Sequence, residues 1–161
     1  MWVFIIFACI LAIIIASSFI LGTYHRKKAL TEELNDLVGF AVSQSYIGED
    51  GNSAIAIDSV NRKICLLKLY EDRVKTTIIS YQDLISAQIF INYSEAAGTS
   101  VKQASNIRLR IVISDSSEPV HVVCFFAGEC KTDLLAYRLA VEQAEYWKGL
   151  LSVLISQVET Q

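Results

Sequence analysis

The N-terminal part of the chain carries a run of 20 residues, Trp2–Leu21, that contains no charged side chain. A helix of this length extends about 30 Å, which is the thickness of the hydrocarbon core of a bilayer. Because lipid offers no hydrogen-bond partners, the backbone of such a run must satisfy its own polar groups as a helix. The sequence therefore predicts one transmembrane anchor within residues 1–24, with the lipid bilayer contacted through residues 2–21.

The flanks of this run indicate its orientation. A cleaved signal peptide, the alternative, has basic residues before a shorter apolar stretch, whereas here Arg26, Lys27 and Lys28 follow the run and no basic residue precedes it. Basic flanks stay on the cytoplasmic side of a membrane. We therefore expect a single-pass protein of the inner (plasma) membrane with its N-terminus outside, its remaining chain in the cytoplasm, and these three cations as membrane-flanking residues.

Residues 25–39 have the pattern of a short amphipathic helix, because Leu30, Leu34 and Leu37 recur at helical spacing and Gly39 provides a stop. Such a helix can lie on a membrane surface, form a dimer, or pack as a stalk on its own domain. We favour the packed stalk.

From residue 40 onward, apolar and polar residues alternate and turn residues recur at short intervals, which is typical of antiparallel strands. Seven strands are expected: Phe40–Ile47, Ser53–Asp58, Lys63–Tyr70, Thr76–Ser80, Leu84–Asn92, 107–114 and Val120–Ala127. The stretch Ser94–Ser105 is small and polar, and it predicts a mobile loop. Two strands predict a buried face, formed in one by Ile85, Ala87, Ile89 and Ile91, and in the other by Ile107, Leu109, Ile111 and Ile113.

The chain ends with a predicted long helix, roughly Asp133 to Gln157. Its apolar stripe consists of Ala140, Ala144, Trp147, Leu151, Leu154 and Val158. A sheet with one long helix must bury such a stripe on itself, so we favour core packing over a helix that binds a partner. The expected fold class is a transmembrane helix followed by an α+β domain over residues 40–161.

Seven antiparallel strands followed by one helix, together with the phrases Ala54–Asp58, Lys63–Leu66 and Ser80–Ile89, resemble the pleckstrin-homology-like (PH-like) domains of bacterial membrane-tethered proteins. The resemblance covers about Phe40–Val158. It implies a bent seven-stranded sheet or barrel plugged by the C-terminal helix, and a binding or scaffold module. Fold similarity alone does not identify a ligand.

The best-known ligands of that fold family are phosphoinositides, which are bound by Lys and Arg around the first hairpin loop. Here that loop contains Glu49 and Asp50 and no basic residue, so a polyanionic headgroup would be repelled. Without the three flanking cations, 11 basic and 17 acidic residues remain, which also disfavours nucleic acid as a partner.

Catalytic and metal-binding motifs are not recognisable in the sequence. His25 lies in the basic flank, and His121 and Cys124 are three residues apart in a predicted strand, which places them on opposite faces. Cys124 and Cys130 lack the second ligand pair of a zinc site, and the cysteines beyond the apolar run are not spaced as a disulfide framework. We predict no catalytic residue, no cofactor and no metal.

The leading hypothesis from the sequence is a membrane-tethered, non-enzymatic binding or scaffold module that presents a cytoplasmic PH-like domain to a protein partner. The alternative is a peripheral lipid or small-ligand binder at the membrane surface, in which residues 25–28 attract anionic headgroups.

Overall fold

A computed structural model describes residues 2–71, 73–95, 102–114, 117–132 and 134–159, with the backbone alone for residues 2–5, 7–16, 18, 19, 94, 95, 102, 129–131 and 159. The fold is α+β, as predicted. Its helices and strands are α1 (Trp2–Asn35), β1 (Gln44–Ile47), β2 (Ser53–Asp58), β3 (Lys63–Tyr70), β4 (Arg73–Ser80), β5 (Leu84–Glu95), β6 (Lys102–Ile113), β7 (Val120–Lys131) and α2 (Leu135–Glu159).

Helix α1 continues without a break from the apolar run into the segment predicted as a stalk. Within the described residues, no helix has both the length and the mean hydropathy that a membrane crossing requires. The helix ends before a turn in which Gly39 has a φ of +73°, a left-handed conformation that favours glycine.

The strands form two antiparallel sheets, one in the order β1-β2-β3-β4 and the other in the order β5-β6-β7. The bounds predicted for β2 and β3 are confirmed, whereas β1 begins at Gln44 and not at Phe40, and β4 begins at Arg73. The prediction of one seven-stranded sheet or barrel is wrong, because β4 and β5 do not pair and the sheets do not close.

A 3₁₀ turn at Tyr81–Asp83 separates the two sheets. The Ser80 backbone N–H donates to the Asp83 carboxylate at 3.0 Å, and the Gln82 N–H donates to the Ser80 hydroxyl at 3.4 Å. This capping box satisfies the backbone groups of the turn. The chain therefore leaves the first sheet there, and β5 pairs with β6 instead of β4.

The predicted loop Ser94–Ser105 is largely strand in its described parts. The β5–β6 ladder extends over Ser94↔Gln103 and Glu95↔Lys102, after a register shift beyond Asn92. Backbone pairing across the hairpin thus outweighs the weak strand preference of these small polar residues. Residues 96–101 of the predicted loop lie outside the described residues.

Of the two predicted buried faces, the one on β6 is confirmed and the one on β5 is wrong at one residue. The face of β6 is confirmed, with Ile107, Leu109, Ile111 and Ile113 all buried. On β5 the placement of Ile85 is wrong, since its side chain is 54% exposed while Leu84 and Ala87 are buried. A register shift between Leu84 and Ser86 adds one residue there, and a bulge of this kind turns a side chain to the other face.

Two apolar cores lie on opposite sides of the four-stranded sheet. The inner core fills the space between both sheets and α2, and it buries the predicted stripe of α2 from Ala140 to Leu154. The outer core lies between α1 and the first sheet, where Leu30 and Leu34 pack against Phe40, Ala54, Ala56, Cys65 and Leu67. The predicted packing of the stalk helix on its own domain is confirmed.

Candidate functional site

The basic flank of α1 contacts the acidic turn between β1 and β2. Lys27 Nζ lies 3.3 Å from Glu49 Oε2, and Arg26 Nη1 donates to Asn52 Oδ1 at 3.1 Å. Gly51 in this turn has a φ of +67°, and a Cβ there would lie 3.2 Å from the Arg26 Cβ. The turn can therefore approach the helix this closely only with glycine at position 51.

Two clefts flank α1 at this level. One of about 490 Å³ is lined by Gly22, His25, Arg26, Ala29 and Leu69. The other, of about 560 Å³, is lined by Tyr24, Lys27, Lys28, Thr31, Glu32 and Ile47. The three predicted membrane-flanking residues therefore line two different clefts. Arg26 lines the first, and Lys27 and Lys28 line the second.

A third depression lies where α2 crosses β7. This α2–β7 groove has a volume of about 390 Å³ and is lined by Tyr46, Glu49, Phe125, Phe126, Ala127, Ala136, Leu139, Ala140 and Gln143. The rings of Tyr46 and Phe125 stack at 4.3 Å between centroids and form part of its wall. Burial, followed by the nearby Glu49 charge, raises the pKa of Tyr46, so its hydroxyl is neutral at physiological pH.

The groove follows from the way in which the two sheets meet. The Cys124 carbonyl accepts a hydrogen bond from the Glu49 N–H at 2.9 Å, and the Cys124 N–H donates to the Ser53 hydroxyl at 3.4 Å. These bonds join β7 to the first sheet at one point. β7 is an edge strand of its own sheet, and the groove lies beside this junction, between β7 and the first turns of α2.

Leu139 of α2 lines this groove, and Leu135 lies one helical turn before it. Leu135 is 69% exposed and Leu139 is 51% exposed. Neither leucine was predicted as a site residue, because both lie beside the buried stripe and not within it. Their spacing of four residues on one helix face was the available signal.

The outer face of the second sheet is open and carries both charged and apolar side chains. It carries a cleft of about 250 Å³ lined by Phe90, Asn92, Asn106, Arg108, Arg110 and Val122. The Arg110 guanidinium lies 5.9 Å from the centre of the Phe90 ring, which is a cation–π distance. Arg108 and Arg110 are both exposed on this face.

His121 and Cys124 do not form a pair. His121 lies opposite Ile111, which faces the core, and Cys124 lies opposite Arg108, which faces outward, so the two side chains are on different faces as predicted. Burial lowers the pKa of the His121 imidazole and raises the pKa of the Cys124 thiol. A protonated, buried thiol is a poor nucleophile.

Metal binding has no candidate within the part of the chain that the structure describes, since no group of three or more His, Cys, Asp or Glu side chains comes together there. The chain matches no protein-family model, no curated protein and no solved structure. The surfaces described above are therefore the basis on which a function can be assigned.

Proposed function

We propose that this protein is a single-pass, membrane-anchored binding module, not an enzyme, which presents a PH-like domain to a protein partner in the cytoplasm. The observation that carries the proposal is the α2–β7 groove, whose mostly apolar lining includes the exposed Leu139. A concave and mostly apolar surface is the usual form of a binding site.

Membrane anchoring is supported by the uncharged run Trp2–Leu21 and the cations that follow it. Because α1 continues from this run and packs on the first sheet through Leu30 and Leu34, the domain would be held in one orientation to the bilayer. A tether also raises the effective concentration of the domain toward membrane-associated partners.

The chemistry of the groove suits an aliphatic or aromatic side chain of a protein segment. Ala136 and Ala140 contribute small side chains to the lining beside Phe126, and Glu49 and Gln143 contribute polar groups. An apolar centre with a polar rim is the usual composition of a protein interface. Since the chain beyond the basic flank is acidic, we expect basic residues beside the apolar anchor of the partner.

Site-specific photo-crosslinking in cells tests this proposal. A photoreactive residue at Leu139 should give a discrete protein adduct, whereas the same residue at Val153, which is also exposed on α2 but does not line the groove, should give none. A second change, Ala136→Asp, places a charge in the groove and should abolish the adduct. Equal crosslinking from both positions, or an adduct that persists with Ala136→Asp, contradicts the proposal.

The topology has its own test, a C-terminal reporter that is active only in the cytoplasm. We expect activity together with retention of the full chain in the membrane pellet after alkaline extraction. An inactive reporter, or a soluble product that begins near Thr23, would show instead that the apolar run is a cleaved signal peptide.

A further inference from the structure

The three cations that follow the apolar run differ in their partners. Lys27 pairs with Glu49 at 3.3 Å, and Lys28 lies 3.7 Å from Glu32. Arg26 instead donates to two neutral oxygens, the Gly22 carbonyl at 3.3 Å and the Asn52 side-chain carbonyl at 3.1 Å. Among the described side chains, Arg26 is thus the cation of this flank whose charge is not matched by a carboxylate.

The two hydrogen bonds also fix the position of the Arg26 side chain. They tie Nε back to the preceding turn of α1 and tie Nη1 to the β1–β2 turn, and the residue is half-buried. A guanidinium has five N–H donors in a planar fork, so these bonds leave donors for a further acceptor. A side chain that is already ordered loses less entropy when it binds an anion.

The cleft beside Arg26 has a mixed lining. His25 adds an imidazole at the edge, while Ala29 and Leu69 contribute apolar surface and Gly22 contributes no side chain. Its volume of about 490 Å³ is in the range of small-molecule sites. One cationic fork beside apolar walls suits a ligand that has an anionic group next to a hydrocarbon or glycerol portion.

The level of the cleft along α1 indicates where such a ligand would come from. Gly22 directly follows the apolar run, and Arg26 lies five residues beyond Leu21, or about 7 Å along the helix axis. The headgroup layer on each side of a bilayer is about 5–8 Å thick. If the run spans the hydrocarbon core, the Arg26 backbone lies near the outer limit of this layer, and its side chain, which donates to the Gly22 carbonyl, is directed back toward the phosphates.

We propose that the cleft formed by Gly22, His25, Arg26, Ala29 and Leu69 binds the headgroup of an anionic glycerophospholipid, with Arg26 donating hydrogen bonds to its phosphodiester. This inference rests on the proposed membrane anchor but not on the α2–β7 groove. The cleft on the other side of α1 serves as an internal comparison, because each of its two cations, Lys27 and Lys28, lies beside a carboxylate, that of Glu49 and of Glu32 respectively.

Native mass spectrometry of the full chain in a mild non-ionic detergent tests the site, with phosphatidylglycerol titrated after delipidation. We expect a one-lipid adduct on the wild-type chain and about tenfold weaker binding for Arg26→Gln, which corresponds to the loss of a charged hydrogen bond. Lys28→Gln is the matched control, because it removes the same charge two residues away on the same helix, and it should bind like the wild type.

A second variant keeps the test decisive if Arg26→Gln destabilises the fold. Gly22→Phe leaves every charge in place, and no atom lies within 4 Å of the position that a Cβ at residue 22 would occupy. The added ring should therefore be accommodated by the protein while it fills the cleft. We expect a loss of lipid adduct with an unchanged melting temperature.

Three results would overturn the inference. Equal weakening by Arg26→Gln and Lys28→Gln would indicate diffuse electrostatic attraction, and full binding by Gly22→Phe would place the lipid elsewhere. Displacement of the lipid by millimolar inorganic phosphate would indicate a site for a free anion. Failure of the membrane anchor is detected separately, by alkaline extraction, and failure of the partner groove by the crosslinking at Leu139.

Discussion

The outer face of one sheet is covered by a helix, whereas the outer face of the other sheet is exposed. The outer face of the four-stranded sheet is covered by α1, so all six residues of β2 are buried. The outer face of the three-stranded sheet is open, and Arg108 and Arg110 of β6 are exposed there. The comparison shows that a strand buried on both faces needs a second covering layer, and that α1 supplies this layer from outside the predicted sheet domain.

The side chains of β2 and β6 account for this difference. In β2 the inner face carries Ile55 and Ile57, and the outer face carries the small residues Ala54 and Ala56. Small side chains allow a helix to approach the sheet closely enough for leucines to reach it. In β6 every outward position between Ile107 and Ile113 is polar or only partly buried, so no helix is required.

The largest effect is expected from a charge placed under α1. Ala56→Asp would bury a carboxylate with no partner between the helix and the sheet, and we expect it to lower the free energy of unfolding by about 3–5 kcal/mol. Val122→Asp is the control on the open face, where the change should stay within about 0.5 kcal/mol. Denaturant unfolding of the full chain in detergent measures both, and equal losses would remove the distinction between the two faces.

The next effect concerns the helix side of the same contact. Leu30 is fully buried, so Leu30→Ala should lower the free energy of unfolding by about 2–4 kcal/mol through lost burial and the cavity that remains. The matched change Thr31→Ala lies on the exposed side of α1 and should have little effect. A neutral Leu30→Ala would mean that α1 does not contribute to the fold.

The third effect is expected from acid. It acts on the segment between α1 and β1, where the Ala41 N–H donates to the Asp58 carboxylate at 2.8 Å. Burial alone would raise the pKa of the Asp58 carboxyl, but hydrogen bonds from Asn61, Ala41 and Val60 outweigh burial and hold its pKa below the ordinary value. Stability from this carboxylate is therefore present above about pH 4 and is lost as the pH falls through the lowered pKa. Asp58→Asn should be less stable at pH 7 and should lose part of this acid dependence.

The carboxyl group of Glu118 also has a lowered pKa, so its contribution to the acid dependence must be measured separately from that of Asp58. Hydrogen bonds from Lys75 and Tyr70 lower the pKa of Glu118 to about 2, and they link the β3–β4 hairpin to the turn before β7. Thermal unfolding of Glu118→Gln from pH 7 to pH 3 serves as the comparison. If Asp58→Asn and the wild type lose stability in parallel over this range, the Asp58 assignment is wrong.

The smallest expected effect concerns the Cys65 thiol, which should not react with an alkylating reagent in the folded protein. Cys65 lies under α1, and burial raises its pKa to about 12, so alkylation at pH 7 should be negligible in the native state and complete after unfolding. Replacing Cys9 and Cys130 with serine leaves Cys65 and Cys124 as the two thiols of the chain. Mass spectrometry then reports the labelling of each of them separately. Rapid native labelling of Cys65, but not of Cys124, would show that α1 leaves the sheet.

Local patterns predicted much of this fold. Alternation and turn residues predicted the bounds of β2 and β3, and the leucine spacing predicted the packed stalk. The Ile85 bulge was missed because period-two alternation has no signal for one inserted residue. The separation into two sheets depends on which strands pair across a turn, and strand spacing alone does not determine that pairing.

The candidate sites were harder to predict than the fold. The cleft at Arg26 depends on Asn52, which is 26 residues away along the chain, and on the close approach of Gly51. Arg26, Lys27 and Lys28 look equivalent in the sequence as one basic flank. The positions of Glu49 and Glu32 distinguish the two lysines, which are paired with carboxylates, from Arg26, which donates to neutral oxygens.

The central claim is that one continuous helix emerges from the apolar run and forms part of the folded domain. Hydrogen–deuterium exchange of the full chain in lipid nanodiscs tests it most directly through the backbone amides of residues 27–34. We expect these amides to exchange as slowly as those of β2 and β3, because docked helices open only with the surrounding structure. Rapid exchange of residues 27–34, while β2 and β3 remain protected, would contradict the account.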